Sequence, residues 1–238
     1  MSSTFLTAEW RKLIMANYAV DPAILKPFLP ADIELDFYND TCYVSLVGFL
    51  FDKVKIKGVA FPFHTRFEEV NLRFYVKHFD GKQWKRGVVF ISEIVPKPAI
   101  TVVARVLYGE KYSTMPMRHH WIDDGDTQRI GYDWKKGSEW FSIEVQAAKQ
   151  PQAMEPGGEA EFIFEHYWGY TTKRNGKTGA YAVSHPRWQV YDVQDYSIKA
   201  DFEKLYGKGF ANLNHEKPLS VFLAEGSAVS IKEGIVLS

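Results

Sequence analysis

The chain reads as a mainly antiparallel β protein of the α+β class, with a few short helices. Three observations carry that reading. Residues 67–77 alternate apolar and polar, residues 86–95 form an almost wholly apolar run, and turn signals recur between such segments along the chain. Apolar residues make up 46% of the 238 positions and aromatics 16%, which is enough for a sizeable core. The one stretch rich in Pro and Gly, "PQAMEPGGEA" at 151–160, has the same strand pattern on both sides. A single domain over residues 1–238 is therefore expected.

In order, residues 11–20 read as a strand. "DPAILKPFLP" follows as a short helix, with Asp21 as N-cap and Pro22 in the first turn. "IELDFYNDTCYVSLVGFLF" reads as a hairpin of two apolar runs around Asn39-Asp40. After the strands at 67–77 and 86–95, further strands fit 128–135, 139–148 and 160–173. Asn175-Gly176 predicts a tight hairpin turn, because both residues accept positive φ. Strands at 178–184 and 188–193, a short helix near 200–206 and a β-rich tail complete the chain.

Lys+Arg and Asp+Glu both number 29, so the formal net charge is zero and no basic field is available for nucleic acid or a membrane surface. Cys42 is the only cysteine, which excludes an internal disulfide and a cysteine-based metal cluster. The first twenty residues lack an apolar core behind a basic start, and no apolar stretch is long enough to span a bilayer, so a cytoplasmic location is expected. "RNGKTG" is not a phosphate-binding loop, since Thr171 stands where the earlier glycine is required. In "RHHWIDDGD" the adjacent His119 and His120 would diverge on a strand and the aspartates lack calcium-loop spacing; a polar turn without metal is expected. No Gly-x-Ser-x-Gly and no Gly-x-Gly-x-x-Gly occurs, so neither a serine-hydrolase elbow nor a dinucleotide cofactor has an anchor.

The strand "FEEVNLRFYV" is the most informative segment. Val70, Leu72, Phe74 and Val76 take a core face; Glu69, Asn71, Arg73 and Tyr75 take the other. That second face is either solvated or a row of carboxylate, amide, guanidinium and phenol lining a cavity for a polar small molecule. Glu93 sits among Val89, Ile91 and Val95, and Arg105 between Val103 and Leu107. Burial demands a partner for each, so the two either satisfy one another or stand at a cavity wall. Lys111, in a Gly-Glu-Lys-Tyr turn, is either a reactive amine or a solvated lysine. The adjacent Glu110 would raise its pKa, the wrong direction for a nucleophile. His166 and His185 would serve as general acid or base if they faced a pocket, and otherwise belong to the core.

Several segments together, "MANYAVDPAILKPFLP", "YVSLVGFLF", "FHTRFEEVNLRFYV", "RGVVFISEIVPKPAI", "EHYWGY", "HPRW" and "AEGS", resemble the YqjF-like family of uncharacterised bacterial proteins through nearly the whole chain. That family is similar in turn to acetoacetate decarboxylase, mostly over residues 65–112. The resemblance implies an antiparallel sheet curled into a barrel or cone around a pocket, and a homo-oligomer. It also implies a short helix over "PAITVVARVLYG", which propensity reads as a strand; Ile100, Val103, Ala104 and Leu107 fit helical spacing. The decarboxylases form a Schiff base through a lysine whose pKa is lowered by an adjacent second lysine. Aligned without gaps from Pro98, Lys111 falls on the reactive lysine and Tyr112 on its helper. Aligned on Gly109, Tyr112 falls on the reactive lysine and Lys111 on a proline. Glu69 falls where the decarboxylases keep a pocket glutamate.

The expected function is binding of a small organic carboxylate or carbonyl compound, with Glu69, Asn71, Arg73 and Tyr75 lining the pocket and no cofactor. The rival is a lyase or hydrolase acting on a keto acid through Lys111 or a Glu69/Tyr112 acid–base pair. A third reading is a structural protein whose barrel is filled.

Overall fold

Alternation along residues 67–79 shows how this sequence builds its sheet. Val70, Leu72, Phe74 and Val76 are each fully buried on one face, whereas Glu69, Asn71, Arg73 and Tyr75 point to the other, also largely covered. A strand covered on both faces must lie between two layers, and the rest of the chain supplies them. The computed structural model describes residues 3–107 and 109–237.

The strands are β1 (Thr4–Ala19), β2 (Glu34–Leu35), β3 (Tyr43–Ile56), β4 (Phe67–Phe79), β5 (Trp84–Val95), β6 (Tyr112–Thr114), β7 (Met117–Asp124), β8 (Thr127–Lys136), β9 (Glu139–Ala153), β10 (Trp168–Thr172), β11 (Thr178–Ser184), β12 (Gln189–Lys199), β13 (Ser220–Lys232) and β14 (Ile235–Val236). The helices are α1 (Pro98–Leu107), α2 (Glu159–Phe164) and α3 (Phe202–Tyr206). Strands β11, β10, β5, β4, β3, β1 and β13 follow one another in hydrogen-bonded order, and β11 then pairs with β13 through Val183↔Ile231 and Ser184↔Ser230. The sheet thus curls into a closed barrel. Pairing is antiparallel except where β5 meets β10 and β6. From β13 the sheet continues through β12, β9 and β8 to β7, a wing that folds over the barrel wall.

Two apolar clusters follow from this curl. One lies between wall and wing, where Leu46, Leu72 and Phe74 pack with Tyr132, Trp134, Phe141 and Ile143. The other is the barrel interior, with Met15, Val47, Phe49, Tyr75, Phe162 and Trp188. Trp134 is fully buried in the first cluster, and burying an aromatic of that size contributes roughly 2–3 kcal/mol.

The β1–β13 seam contains a close approach. Gly226 pairs with Arg11 at φ +81°, and a Cβ there would stand 2.0 Å from the Trp10 carbonyl oxygen. Opposite it, β1 carries a bulge between Arg11 and Ile14, with Lys12 at φ 51°. The strands touch here because one of them has no side chain.

Several local expectations need correction. "DPAILKPFLP" forms two short 3₁₀ turns, Pro22–Ile24 and Lys26–Phe28, although Asp21 caps the first by accepting from Ala23 N at 2.8 Å. Asn39 and Asp40 do turn at positive φ, but Tyr38↔Thr41 is an isolated bridge, and β2 pairs with β4 instead of β3. The strand expected over 160–173 begins as helix α2, because the loop before it delivers Phe162, Ile163 and Phe164 into the barrel. Around Asn175-Gly176 only Gly176 has positive φ, and Lys173 N donates to Lys177 O across a longer turn. "RHHWIDDGD" is mostly strand β7; the turn is confined to its end, next to Gly125. His119 and His120 do diverge, to Glu68 at 2.6 Å and Glu144 at 2.5 Å. Residues 98–107 are helical, as the resemblance implied, and Ile100, Val103 and Ala104 face a cavity; the Leu107 side chain lies outside the described residues. Among the described residues no helix is long and apolar enough to cross a membrane.

Candidate functional site

Strand geometry aims the polar groups inward. On β4, Glu69, Asn71 and Arg73 line a chamber inside the barrel with about 700 Å³ of atom-free space, counting its mouth. Tyr75, the fourth residue of that row, does not reach it. Its hydroxyl lies 2.6 Å from Ser45 Oγ, which donates to Asn17 Oδ1 at 2.5 Å, a buried chain of hydrogen bonds. From β5 comes Glu93, whose cross-strand neighbours are Asn71 and, through the parallel β6, Tyr112.

The extended segment into β6 sorts its side chains by alternation. Glu110 and Tyr112 turn inward and Lys111 turns out. Tyr112 Oη donates to Glu69 Oε2 at 2.8 Å, and Asn71 Nδ2 donates to Glu69 Oε1 at 2.9 Å. Tyr181 Oη, from β11, donates to Glu110 Oε1 at 3.0 Å. Glu93 Oε2 is buried with no hydrogen-bond partner. Three buried carboxyl groups, Glu69, Glu93 and Glu110, thus meet around two phenols.

Burial favours their neutral forms. It pushes Glu69 up to about 7 against the hydrogen bonds from Asn71 and Tyr112. It pushes Glu110 up to about 8 against the Tyr181 hydrogen bond. Glu93 is held well above the carboxylate range by burial, and then by its neighbours Glu110 and Glu69. Arg73 Nη2 donates to the Ile163 carbonyl at 2.9 Å and approaches Met15 Sδ at 3.5 Å, while its Nε is buried and unpartnered. Both histidines line the chamber. Burial lowers His166 to about 4, against its bond to Asp36, and lowers His185, which stacks on Trp188 at 4.0 Å.

A second chamber, of about 650 Å³ on the same measure, lies between α1 and the ends of β1 and β3. It shares Phe51, Glu93, Tyr112, Tyr181 and Ile231 with the first, so Glu93 stands in the wall between them, while Glu69 lines the first chamber and Glu110 the second.

Two other candidates lie elsewhere. Lys111 lines neither chamber; it is exposed, and its ammonium sits 4.6 Å above the Phe28 ring. Partial desolvation lowers its pKa and outweighs the Glu110 carboxylate, the reverse of the direction expected from sequence. Arg105 is exposed and does not meet Glu93; its Nε donates to the Tyr112 carbonyl at 2.6 Å and ties α1 to β6. Among the described residues no group of three or more His, Cys, Asp or Glu side chains is arranged to hold a metal ion.

Residues 7–228 match the family model described as DUF2071, uncharacterized conserved protein. The chain belongs to the DUF2071 family. This DUF2071 chain is 25% identical over 189 residues to the uncharacterized protein YqjF of Bacillus subtilis (strain 168), covering 78% of this chain and 74% of the relative. Its fold is the acetoacetate-decarboxylase-like one. The acetoacetate decarboxylase from Legionella pneumophila superposes with a TM-score of 0.66 at 15% identity, over 98% of this chain and 87% of the other. The enduracididine biosynthesis enzyme MppR, complexed with pyruvate, gives 0.70 at 13% identity, over 100% and 92%. An acetoacetate decarboxylase-like enzyme from Sphingomonas wittichii RW1 gives 0.67 at 11% identity, over 99% and 94%.

Glu110 and Tyr181 were not picked out as site residues from sequence. Glu110 carried a signal nonetheless: in an extended segment it shares a face with Tyr112. Tyr181 carried none, since it reaches the site through the barrel closure.

Proposed function

We propose that the barrel binds a small organic carboxylate or carbonyl compound in the chamber around Arg73. The guanidinium carries this reading. It lines a cavity with Nε unpartnered, and among the described residues no carboxylate stands within ion-pair distance of it. A covered guanidinium without a counter-ion is costly, and a planar carboxylate matches its donors. Glu69, Asn71 and Tyr112 lie along the same wall, suited to hydrogen-bond a ligand carbonyl or hydroxyl. MppR, of the same fold, holds pyruvate, a ligand of this class.

The test is calorimetric titration with pyruvate and acetoacetate beside uncharged ketones of equal size, followed by borohydride treatment and peptide mapping. The keto acids should bind, and Arg73→Met should weaken them at least tenfold. No adduct should form on Lys111. Equal affinity in the variant, or a reduced adduct on Lys111 that disappears in Lys111→Ala, would overturn the reading.

The contact of Tyr112 with Glu69 favours a second reading, acid–base catalysis on a keto acid as a lyase or hydrolase. A carboxyl group pushed up to about 7 is poised to exchange a proton near neutrality. Turnover lost in Glu69→Gln with binding retained would support it; no turnover of any bound keto acid would remove it. Three further expectations rest on sequence: one domain, a cytoplasmic location and a homo-oligomeric assembly without nucleic acid.

A further inference from the structure

The second chamber differs chemically from the first. Phe5, Val54, Ile56, Phe67, Ile100 and Val103 give it apolar walls, and its polar groups, Glu93, Glu110, Tyr112 and Tyr181, gather at one end. With its carboxyl groups ionised, that end would be rich in acceptors and poor in donors. Against the oxygens of Glu69, Glu93 and Glu110, the hydrogen bonds formed come from Asn71, Tyr112 and Tyr181. No ion pair satisfies these carboxyl groups among the described residues, and Glu93 Oε2 is left buried without a partner in the wall of the chamber. Leaving such a group unpaired costs about 1–3 kcal/mol, so an unpartnered carboxyl oxygen beside an apolar cavity marks a place for the polar head of a ligand.

An ammonium group supplies what is lacking. It carries three N–H donors and a positive charge, and an attached hydrocarbon would occupy the apolar walls. A carboxylate ligand could accept from the neutral acids, but would bring a further negative charge beside three carboxyl groups. An alcohol would bring one donor and no charge.

We propose that the chamber beneath α1 is a second ligand pocket, which takes a small hydrophobic primary amine with its ammonium seated on Glu93 and Glu110. The α1 residues Ile100, Val103 and Ala104 cover the hydrocarbon part. The pocket lies back to back with the Arg73 chamber, so an amine in one and a carboxylate in the other would approach the same wall of Glu93, Tyr112 and Tyr181 from opposite sides. Because the carboxyl groups are held protonated when the pocket is empty, seating the ammonium displaces protons to solvent.

The experiment is calorimetry with n-hexylamine, n-hexanol and hexanoate at neutral pH, in two buffers of different ionisation enthalpy. Hexylamine should bind at least tenfold more tightly than hexanol, with proton release, and any hexanoate bound should depend on Arg73 and be indifferent to Val103→Trp. Glu93→Gln should cost at least tenfold in amine affinity. Val103→Trp, which fills the chamber, should abolish amine binding while pyruvate still binds at the Arg73 chamber. Equal affinity for amine and alcohol, or amine binding indifferent to both variants, would overturn the proposal. Should Val103→Trp fail to fold, Glu93→Gln decides the outcome. Loss of pyruvate binding with amine binding intact would instead refute the function proposed for the first chamber.

Discussion

The midpoint of thermal unfolding is expected to fall as pH rises from about 6.5 to about 8, because Glu69, Glu93 and Glu110 hold protons in the folded protein that the unfolded chain has already lost. In that window the native state binds more protons than the unfolded state, so each rise in pH favours unfolding. The contribution is fully present below the unfolded value and is lost as pH climbs through the folded values, about 7 for Glu69 and about 8 for Glu110. All three groups shift in the same direction, so their contributions to the fall reinforce one another. Asp36 and Glu68 act oppositely. Burial raises both, but the bonds from His166 and Arg86 to Asp36 and from His119 to Glu68 win, and their contribution disappears in acid. Below about pH 6.5 the buried neutral His166 and His185 also oppose the glutamates, since the unfolded chain takes up protons that they refuse, so the net fall belongs to the alkaline side. Glu93→Gln, an uncharged mimic of the protonated acid, should flatten the alkaline side and make the variant more stable than the native protein at pH about 8. Melts across the range, monitored by circular dichroism, check this. A native midpoint that is level through the window, or a variant curve parallel to the native one, would refute it.

Gly226→Ala should cost several kcal/mol, enough to leave the variant largely unfolded or without a closed barrel. At φ +81° an alanine pays about 1 kcal/mol in backbone strain alone. Its methyl would then meet the Trp10 carbonyl oxygen at 2.0 Å and Leu13 Cδ1 at 2.7 Å. The first of these is backbone, so no rotamer change relieves it, and β1 and β13 must part. Trp10 and Leu13 both line the Arg73 chamber, so any folded fraction should also bind keto acids poorly. Guanidinium unfolding measures the loss. A decrease below about 1 kcal/mol would show that the seam tolerates a side chain, contrary to this account.

The sequence revealed those parts of the fold that depend on local pattern. The alternation of β4 announced both its core face and the polar row opposite, and three of the four residues in that row line the chamber. Helix α1 was legible through resemblance and not through propensity, since Val102, Val103 and Val106 favour strand. Helix α2 was missed because six residues give too little periodicity to outweigh an apolar run. β7 looked polar because it is an edge strand of the wing, exposed along most of its length. In the site, Glu93 was recognised as a buried carboxyl group in need of an explanation. Its expected partner Arg105 was wrong because α1 carries that side chain away to the surface. The meeting of Glu93 with Glu110 and Tyr181 depends on three strands distant in sequence, and no single-chain periodicity records it.

Closure of the barrel also sets an order of events during synthesis. Strand β1 is flanked by β3 on one edge and by β13 on the other. Residues 43–56 leave the ribosome soon after residues 4–19 and can zip against them at once, while residues 220–232 follow much later. Until then the far edge of β1 stays open, with Leu13, Met15 and neighbouring apolar side chains available to any extended segment of a nearby nascent chain. Long-range pairing of this kind is slow to form, so the interval is not brief on the scale of folding. The β1 edge is therefore exposed to misassembly until β13 is translated, and a chaperone that shields it would act there.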